Sequence, residues 1–395
     1  MKIAGIIAEY NPFHNGHAYH IQKTRDGFGA DYVVCVMSGH FTQRGLPAIA
    51  DKWTRAKSAL CCGADAVLEL PFLSAVRSAE GFAYGAVRLL NALGCIDLLS
   101  FGSEAGTIDP LADCAQILLE EPDEYKECLA KKLGDGASYA SARAHALEAC
   151  MPSGGSDVLN GSNNILAVEY LKALARVGSR IAPVTIKRLD TEYNSSEPSA
   201  KMASASALRS IILKEGYDRE YLSRYIPSDA LYSSCDGLVD SSSLFPHLAY
   251  KLRMMPLEAI RNIFEVAEGL EYKIKEAAKY AKSYEELLDL IGSKRYAKSR
   301  ISRILLYCLF DITKQTVHAT DSSPTYAHLL GFRQESRDLI STIAKRSRIP
   351  FITKAAEFIE DAGFSYDLLA SDIYALLTKK TAPAGRDFTQ KLIVV

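Results

Sequence analysis

The chain has 395 residues, a length that predicts two or three domains. Of these residues 48% are hydrophobic and 24% are charged, which is typical of a globular protein. Its net charge of −1 excludes a globally basic nucleic-acid-binding protein but not a local basic patch. The nine cysteines show no C-x-x-C spacing, so the sequence predicts neither a zinc ribbon nor a disulfide framework, and a reducing cytoplasm is favoured. No apolar run approaches the ~18 residues of a membrane span, so no membrane contact is expected.

Predicted strands and helices alternate over about the first 105 residues. Apolar runs predict strands at residues 2–8, 32–37, 66–70 and 96–101. The segments between them predict helices at residues 17–26, 53–62 and 80–93. This order predicts a parallel sheet with helices on both faces and right-handed crossovers. Ligands of such sheets bind beyond the carboxyl ends of the strands.

The rest of the chain is predicted to be mainly helical. Asn163 and Asn164 precede a predicted helix over residues 165–175, because asparagine is a favoured N-cap residue. A further strand is predicted at residues 184–189. Helical patterns dominate towards the C-terminus, and we place the domain boundary so that the two domains are residues 1–216 and 217–395.

An H-x-G-H segment follows the first strand, so that His14, Gly16 and His17 lie where a strand meets a helix. A helix N-terminus presents unpaired N–H groups and a partial positive charge, which attract phosphate. Gly16 lets the backbone approach a ligand, and the imidazoles can donate hydrogen bonds to phosphate oxygens. The pattern predicts a nucleotide-binding corner with His14 and His17 as catalytic residues. The alternative is that both histidines only cap the helix or pack in the turn.

A second phosphate site is indicated at Ser204, Ser206 and Arg209. Two hydroxyls at the start of a predicted helix, with an arginine one turn later, can hold phosphate oxygens. The alternative is an ordinary capping serine beside a surface arginine.

Six sequence blocks occur in an order that resembles the tRNA(Met) cytidine acetate ligase family, which belongs to the HIGH-type nucleotidyltransferase superfamily. The blocks are EYNPFHNGHAYHI, MSGHFTQRGLPAIADKW, GADAVLELPF, FGSE, SNNILAVEYL and SASALR. The resemblance implies an α/β fold: a Rossmann-like parallel-sheet nucleotidyltransferase domain at residues 1–216, then a mainly helical, tRNA-binding domain at residues 217–395. It also implies that ATP and acetate form acetyladenylate, and that the acetyl group then passes to N4 of the wobble cytidine in elongator tRNA(Met). Mg²⁺ is expected on the triphosphate, because substrate oxygens and water complete its shell.

The resemblance also implies a nucleotide site assembled from separate segments of the chain. The expected ATP-binding residues are Ile7, Ala8, Glu9, Tyr10, Asn11, Pro12, Phe13, His14, Asn15, Gly16, His17, Ala18, Tyr19, His20, Gly102, Asn163, Asn164, Arg188, Ser204, Ser206 and Arg209. Only one of Asn163 and Asn164 is expected to contact ATP, and the likeness does not decide which. Two positions depart from the family pattern, since His40 stands where asparagine is expected and Leu46 where glutamate is expected.

The two other substrates need sites of their own. Acetate requires a cation or several N–H donors, and Lys52 and Arg44 are candidates, although either can instead be a solvated surface charge. A tRNA must turn its wobble base out of the stack, and its phosphates require clustered lysine and arginine. The predicted tRNA-binding residues are Lys294, Arg295, Lys298, Arg300 and Arg303. A charge run of this kind is more often a solvated face.

Two other functions compete with this one. A different adenylyltransferase, such as one that acts on a phosphorylated cofactor precursor, would share the H-x-G-H corner but would not need the long helical region. A non-catalytic RNA-binding module would keep the corner only as a vestige. The presence of His14, Gly16, His17 and Arg209 argues against that module.

Overall fold

The structure is a computed structural model. It describes residues 1–137, 139–151, 158–159, 161–188, 203–214, 218–232, 237–267, 269–293, 296–323, 325–379 and 382–395. Lys294 and Arg295 of the predicted tRNA-binding cluster therefore lie outside the described residues. Within the described ranges, no helix combines the length and the apolar character that crossing a membrane requires.

One mixed sheet runs through the described part of the chain. Its strands are β1 (Ile3–Ala8), β2 (Tyr32–Ser38), β3 (Ala66–Leu70), β4 (Leu98–Ser103), β5 (Ala182–Lys187), β6 (Ala327–Phe332), β7 (Phe351–Ile352) and β8 (Ile393–Val394). Their order is β5-β4-β1-β2-β3-β6-β7, and β8 pairs with β6. The first five strands pair in parallel, whereas β6 is antiparallel to β3. The predicted Rossmann-like parallel sheet is confirmed.

Helices cover both faces of the parallel strands. In the first half of the chain they are α1 (Asn15–Phe28), α2 (Lys52–Cys61), α3 (Phe72–Ala75), α4 (Ala79–Ala92), α5 (Asp109–Glu120), α6 (Asp123–Gly134), α7 (Tyr139–Cys150), α8 (Ser162–Arg176), α9 (Ala205–Lys214) and α10 (Arg219–Leu222). Successive residues of a strand point to opposite faces. Val34 and Val36 accordingly pack with α4, α5 and α8, whereas Val33 and Cys35 pack with α1, α2 and α9.

The second half of the chain is mainly helical, as predicted. Its α-helices are α11 (Leu244–Met254), α12 (Leu257–Asn262), α13 (Leu270–Tyr280), α14 (Tyr284–Ile291), α15 (Lys298–Leu309), α16 (Lys314–Ser322), α17 (Arg337–Arg346), α18 (Ala362–Leu377) and α19 (Arg386–Thr389). Helices α11 to α16 share a buried cluster with one face of α18. The division into domains 1–216 and 217–395 stays a prediction, and residues 215–217 lie outside the described residues.

Three strands come from the region predicted to be helical. β6 pairs along the edge of β3, and β7 and β8 both pair with β6. The sequence analysis missed these strands, because β7 and β8 have two residues each and β6 is a short apolar run with a distant partner. The C-terminal region therefore extends the same sheet that carries the H-x-G-H corner.

Candidate active site

A fully buried arginine, Arg55, braces the corner between β1 and α1. Arg55 Nε donates to the carbonyl of Ala50 at 2.9 Å, and Nη1 donates to the carbonyls of Glu9 at 2.6 Å and Ser38 at 3.1 Å. Its Nη2 donates to the carbonyl of Gly39. These bonds tie the ends of β1 and β2 together. Sequence reasoning missed Arg55, because nothing in its neighbourhood distinguishes it from a surface arginine on a helix.

The two histidines of the H-x-G-H segment cap helix α1 with the same edge of their rings. His14 is the N-cap residue, and its Nδ1 accepts the backbone N–H of Gly16 at 3.1 Å. Nδ1 of His17 accepts the backbone N–H of His14 at 3.2 Å. The rings stack with centroids 3.7 Å apart. Since both Nδ1 atoms accept, each neutral ring carries its proton on Nε2 and keeps that N–H for a ligand.

The environment keeps these rings neutral. Burial, together with the nearby charges of Arg188 and Arg209, lowers the pKa of His14 to about 3. Burial and the neighbouring imidazole hold the pKa of His17 well below its usual range. Burial also lowers the pKa of His20 to about 4, and its Nε2 lies 3.0 Å from Ser100 Oγ. The corner therefore presents neutral donors beside a helix N-terminus before any anion binds.

Two adjoining pockets form one cleft at the carboxyl ends of the parallel strands. The expected ATP-binding residues that line the first pocket are Ile7, Ala8, Tyr10, His14, Gly16, His17, Tyr19, His20, Gly102, Asn163 and Arg188. Those that line only the second pocket are Glu9, Asn11, Ser204, Ser206 and Arg209. Neither pocket is lined by Pro12, Phe13, Asn15, Ala18 or Asn164. Phe13 packs in the core, and Asn15 donates to the carbonyls of Arg224 and Tyr225.

The two neighbouring asparagines have different environments. Asn164 is 3% exposed, and its Oδ1 accepts the backbone N–H groups of Glu104 and Ala105 at 2.9 and 3.0 Å. Asn163 lines both pockets, and its Oδ1 accepts from Arg188 Nη1 at 3.2 Å. Asn163 is therefore the one positioned to contact a ligand, while Asn164 braces the loop after β4.

At the second predicted phosphate site, Ser204 and Arg209 already make hydrogen bonds within the protein. Ser204 Oγ accepts the backbone N–H of Ala207 at 3.1 Å, as a helix-capping serine does. Ser206 is exposed in the second pocket. Arg209 Nη1 donates to the carbonyl of Asn11 at 2.6 Å, so that α9 is tied to the corner. The guanidinium of Arg209 thus lies within the cleft and also positions the turn that carries His14.

Lys52, one of the two candidates for the acetate site, lies outside both pockets. It is fully buried, and its Nζ lies 2.8 Å from Glu69 Oε2 and 2.6 Å from Asp387 Oδ1. Arg44, the other candidate, is exposed and lines the second pocket. The interpretation of Lys52 as an acetate ligand does not fit this structure, because two carboxylates already surround its ammonium group.

The two residues that depart from the family pattern lie in different parts of the structure. His40 is buried away from both pockets, where its Nδ1 lies 3.2 Å from Ser371 Oγ and its ring contacts Trp53 and Tyr374. Leu46 lines the second pocket. A carboxylate at position 46 would face the cleft, whereas a substitution at position 40 would act on the packing of α18.

The described residues of the predicted tRNA-binding cluster differ in how exposed they are to solvent. Lys298 is exposed and lies 2.6 Å from Asp289, and Arg300 is partly exposed above the ring of Tyr296. Arg303 is only 7% exposed and lies 3.5 Å from Glu265. A phosphate can reach Lys298 and Arg300 as they stand, but Arg303 is covered.

Comparison with known proteins agrees with this fold and cleft. Residues 1–388 match the HIGH Nucleotidyl Transferase family, so the chain is a member of that class of nucleotidyltransferases. Curated tRNA(Met) cytidine acetate ligases from Acetivibrio thermocellus and Thermoanaerobacter sp. strain X514 are 42% and 44% identical to it, and each alignment covers 100% of both chains. The chain belongs to the tRNA(Met) cytidine acetate ligase family.

Two crystal structures of TmcAL from Thermotoga maritima are similar over the whole chain. Both are 32% identical in sequence and are covered over 100% of each chain. The TM-score is 0.92 for the apo structure and 0.89 for the structure bound with alpha-thio ATP. These proteins share the α/β nucleotidyltransferase fold with the present chain.

Proposed function

We propose that the chain activates acetate with ATP and acetylates N4 of the wobble cytidine in elongator tRNA(Met). The observation that carries this proposal is the pair of neutral, stacked imidazoles at the N-terminus of α1, in a chain that is 42–44% identical to curated acetate ligases over its full length. Neutral donors and helix amides can hold a triphosphate without prior loss of a proton.

Adenylation at this corner needs no covalent enzyme intermediate. One carboxylate oxygen of acetate attacks the α-phosphorus, the bond from that phosphorus to the β-bridging oxygen breaks, and pyrophosphate leaves with the electron pair. The protein aligns two anions and stabilises charge on the phosphate oxygens. His14 and His17 supply Nε2–H donors, and Arg188 and Arg209 supply positive charge at the cleft.

A metal ion would be held mainly by the nucleotide. Among the described residues that line the cleft, Glu9 is the only carboxylate, and its Oε1 already accepts the backbone N–H of Gln43 at 2.6 Å. Mg²⁺ keeps several waters and binds readily through substrate phosphates. The cleft therefore fits Mg²⁺ that arrives on ATP, where the ion would neutralise charge on the leaving pyrophosphate.

The second step uses the exocyclic amine of the cytidine as the nucleophile. The amine attacks the acyl carbon of acetyladenylate, AMP leaves, and the amine proton passes to solvent. A base inside a folded anticodon loop must turn out of its stack to reach the cleft. Lys298 is exposed and Arg300 is partly exposed, so both cations can contact the phosphates of such a loop.

One incubation tests the whole proposal. The purified chain is mixed with ATP, labelled acetate and total tRNA, and the RNA is digested and analysed for acetylcytidine. We expect labelled acetylcytidine only when ATP is present, and none with a His14→Asn, His17→Asn double variant. Acetyladenylate without labelled RNA would leave an acid-activating enzyme with another acceptor. Absence of both products would overturn the proposal.

A further inference from the structure

Tyr170 is a buried residue in the wall of the cleft. The residue is 3% exposed and lies on α8, where its ring packs on Phe101 at the end of β4. Its side chain lines both pockets of the cleft. The described residues provide no hydrogen-bond partner for its hydroxyl. The hydroxyl is not closed off from the cleft, so a ligand bound there can supply the partner.

Apolar side chains from β1, α4 and α8 line the part of the cleft beside Tyr170, which we call the chamber. Asn163, Leu166 and Tyr170 are spaced so that they share one face of α8, and all three line both pockets. Ile7 of β1 lies in both pockets as well, and Phe82 of α4 lines the second pocket. The chamber therefore joins the two pockets, next to the histidine corner, and its apolar walls are suited to the methyl group of a small acid.

Two other polar groups that line the cleft are already engaged. The hydroxyl of Tyr10 lies 3.1 Å from Cys35 Sγ, and the amide of Asn163 donates to Glu104 Oε1 at 2.7 Å. The Nε2–H groups of the histidine pair are needed for the phosphates. Tyr170 is thus the neutral donor best placed to meet the carboxylate of a small acid whose methyl group lies in the chamber.

We propose that Tyr170, Leu166, Ile7 and Phe82 form the acyl subsite, which binds a short unbranched carboxylate with the tyrosine hydroxyl on one of its oxygens. This inference rests on the proposed function and names the site of its second substrate. The bound oxygen stays an acceptor when the other oxygen forms the bond to the α-phosphorus. Because the hydrogen bond is present before and during that step, its loss affects the KM for acetate more than kcat.

The tyrosine is tested by a single-atom change. Tyr170→Phe is compared with wild type in acetate-dependent ATP–pyrophosphate exchange, with acetate and ATP varied separately. We expect the KM for acetate to rise roughly 10- to 100-fold, as for loss of a hydrogen bond to a charged group, with the KM for ATP changed less than about twofold. Tyr250→Phe is the matched control, because Tyr250 is 72% exposed on α11.

A rise in the KM for ATP alone would overturn the inference, since the hydroxyl would then contact the nucleotide. Unchanged constants would overturn it as well. If wild type showed no acetate-dependent exchange, the proposed function would fail before the variant was considered, so the two failures are distinguishable.

The apolar walls are tested by enlarging the chamber. Leu166→Ala removes a side chain that faces the chamber, and we expect kcat/KM for propionate relative to acetate to rise roughly 10-fold or more, the usual effect of space for one methylene. The melting temperature is measured in parallel. An unchanged ratio of the two acids in a folded variant would show that Leu166 does not limit the acyl group.

Discussion

The backbone N–H of His14 donates to the ring of His17, while the ring of His14 accepts from Gly16, two residues further on. Each histidine thus uses Nδ1 to build the first turn of α1 and keeps Nε2–H for a ligand. The capping interpretation and the catalytic interpretation of the H-x-G-H segment therefore do not compete. A substitution at His14 that preserves the cap can separate the two roles.

His14→Asn should keep the helix cap and lose catalysis. Asparagine is a favoured N-cap residue, so we expect its free energy of unfolding to stay within about 0.5 kcal/mol of wild type. Its side chain is too short to replace Nε2–H, and pyrophosphate exchange should fall by about 10²–10³. His14→Ala should show the same loss of rate together with destabilisation by about 1 kcal/mol. Near-normal exchange in His14→Asn would assign the histidine to capping alone.

Asn163 and Asn164 should respond differently to alanine. Asn163→Ala removes a cleft-lining amide, and we expect a higher KM for ATP with little change in urea midpoint. Asn164→Ala leaves two partly buried N–H groups without their acceptor, which should cost about 1–3 kcal/mol of stability. Unfolding curves and exchange kinetics of both variants test this. A raised KM for ATP in Asn164→Ala together with a loss of stability in Asn163→Ala would show that Asn164 contacts the ligand and Asn163 has the structural role.

The stability of the fold should depend on pH through the buried imidazoles. The pKa of His20 is lowered to about 4, against about 6.5 in the unfolded chain. The unfolded state therefore binds the extra proton first, and stability falls as pH decreases from about 7 towards 4. Between about pH 7 and pH 5 this ring contributes a loss of about 2 kcal/mol. Urea unfolding of His20→Asn should show a correspondingly weaker pH dependence, whereas an unaltered slope would contradict the shift.

Local patterns in the sequence were sufficient to predict the corner. An apolar run, a turn with histidine and glycine, and the start of a helix are all determined by neighbouring residues, and the structure has the strand, the turn and the helix there. Which of the two neighbouring asparagines faces the cleft could not be predicted from the sequence. Asn163 and Asn164 are adjacent on a helix, so one residue of helical phase decides which faces the cleft, and periodicity alone does not fix it.

Features that depend on distant partners could not be predicted. Lys52 resembles a free surface cation until Asp387, 335 residues later, is brought beside it. Arg303 belongs to a basic run, yet it is only 7% exposed, because Gly45 approaches its backbone and its guanidinium lies beside Glu265. Tyr170 lies in a helix with an ordinary apolar pattern, and only the assembled cleft shows that none of the described residues bonds to its hydroxyl. Burial by residues remote in sequence overrides the local pattern in each case.

The tRNA surface should involve Lys298 and Arg300. Each alanine variant should weaken tRNA binding and reduce the slope of log affinity against log salt by about 0.7–0.9, the effect of one lost phosphate contact. Lys354→Ala is a matched control, since Lys354 is 75% exposed and paired with Glu357, as Lys298 is 73% exposed and paired with Asp289. Salt-dependent filter binding measures both. Equal slopes for all the variants would exclude this part of the predicted cluster.

Lys52 should be a structural residue of the chain. Lys52→Met removes the ammonium group that lies between the buried carboxylates of Glu69 and Asp387. Removal of one partner from a buried ion pair leaves uncompensated buried charge and costs about 3–5 kcal/mol. Lys57→Met, an exposed position on the same helix, should stay within about 0.5 kcal/mol. Urea unfolding of both variants gives the free energies. If Lys52 instead bound acetate, its variant would unfold like wild type and show a raised KM for acetate, because the defect would then lie in the cleft and not between β3 and α19.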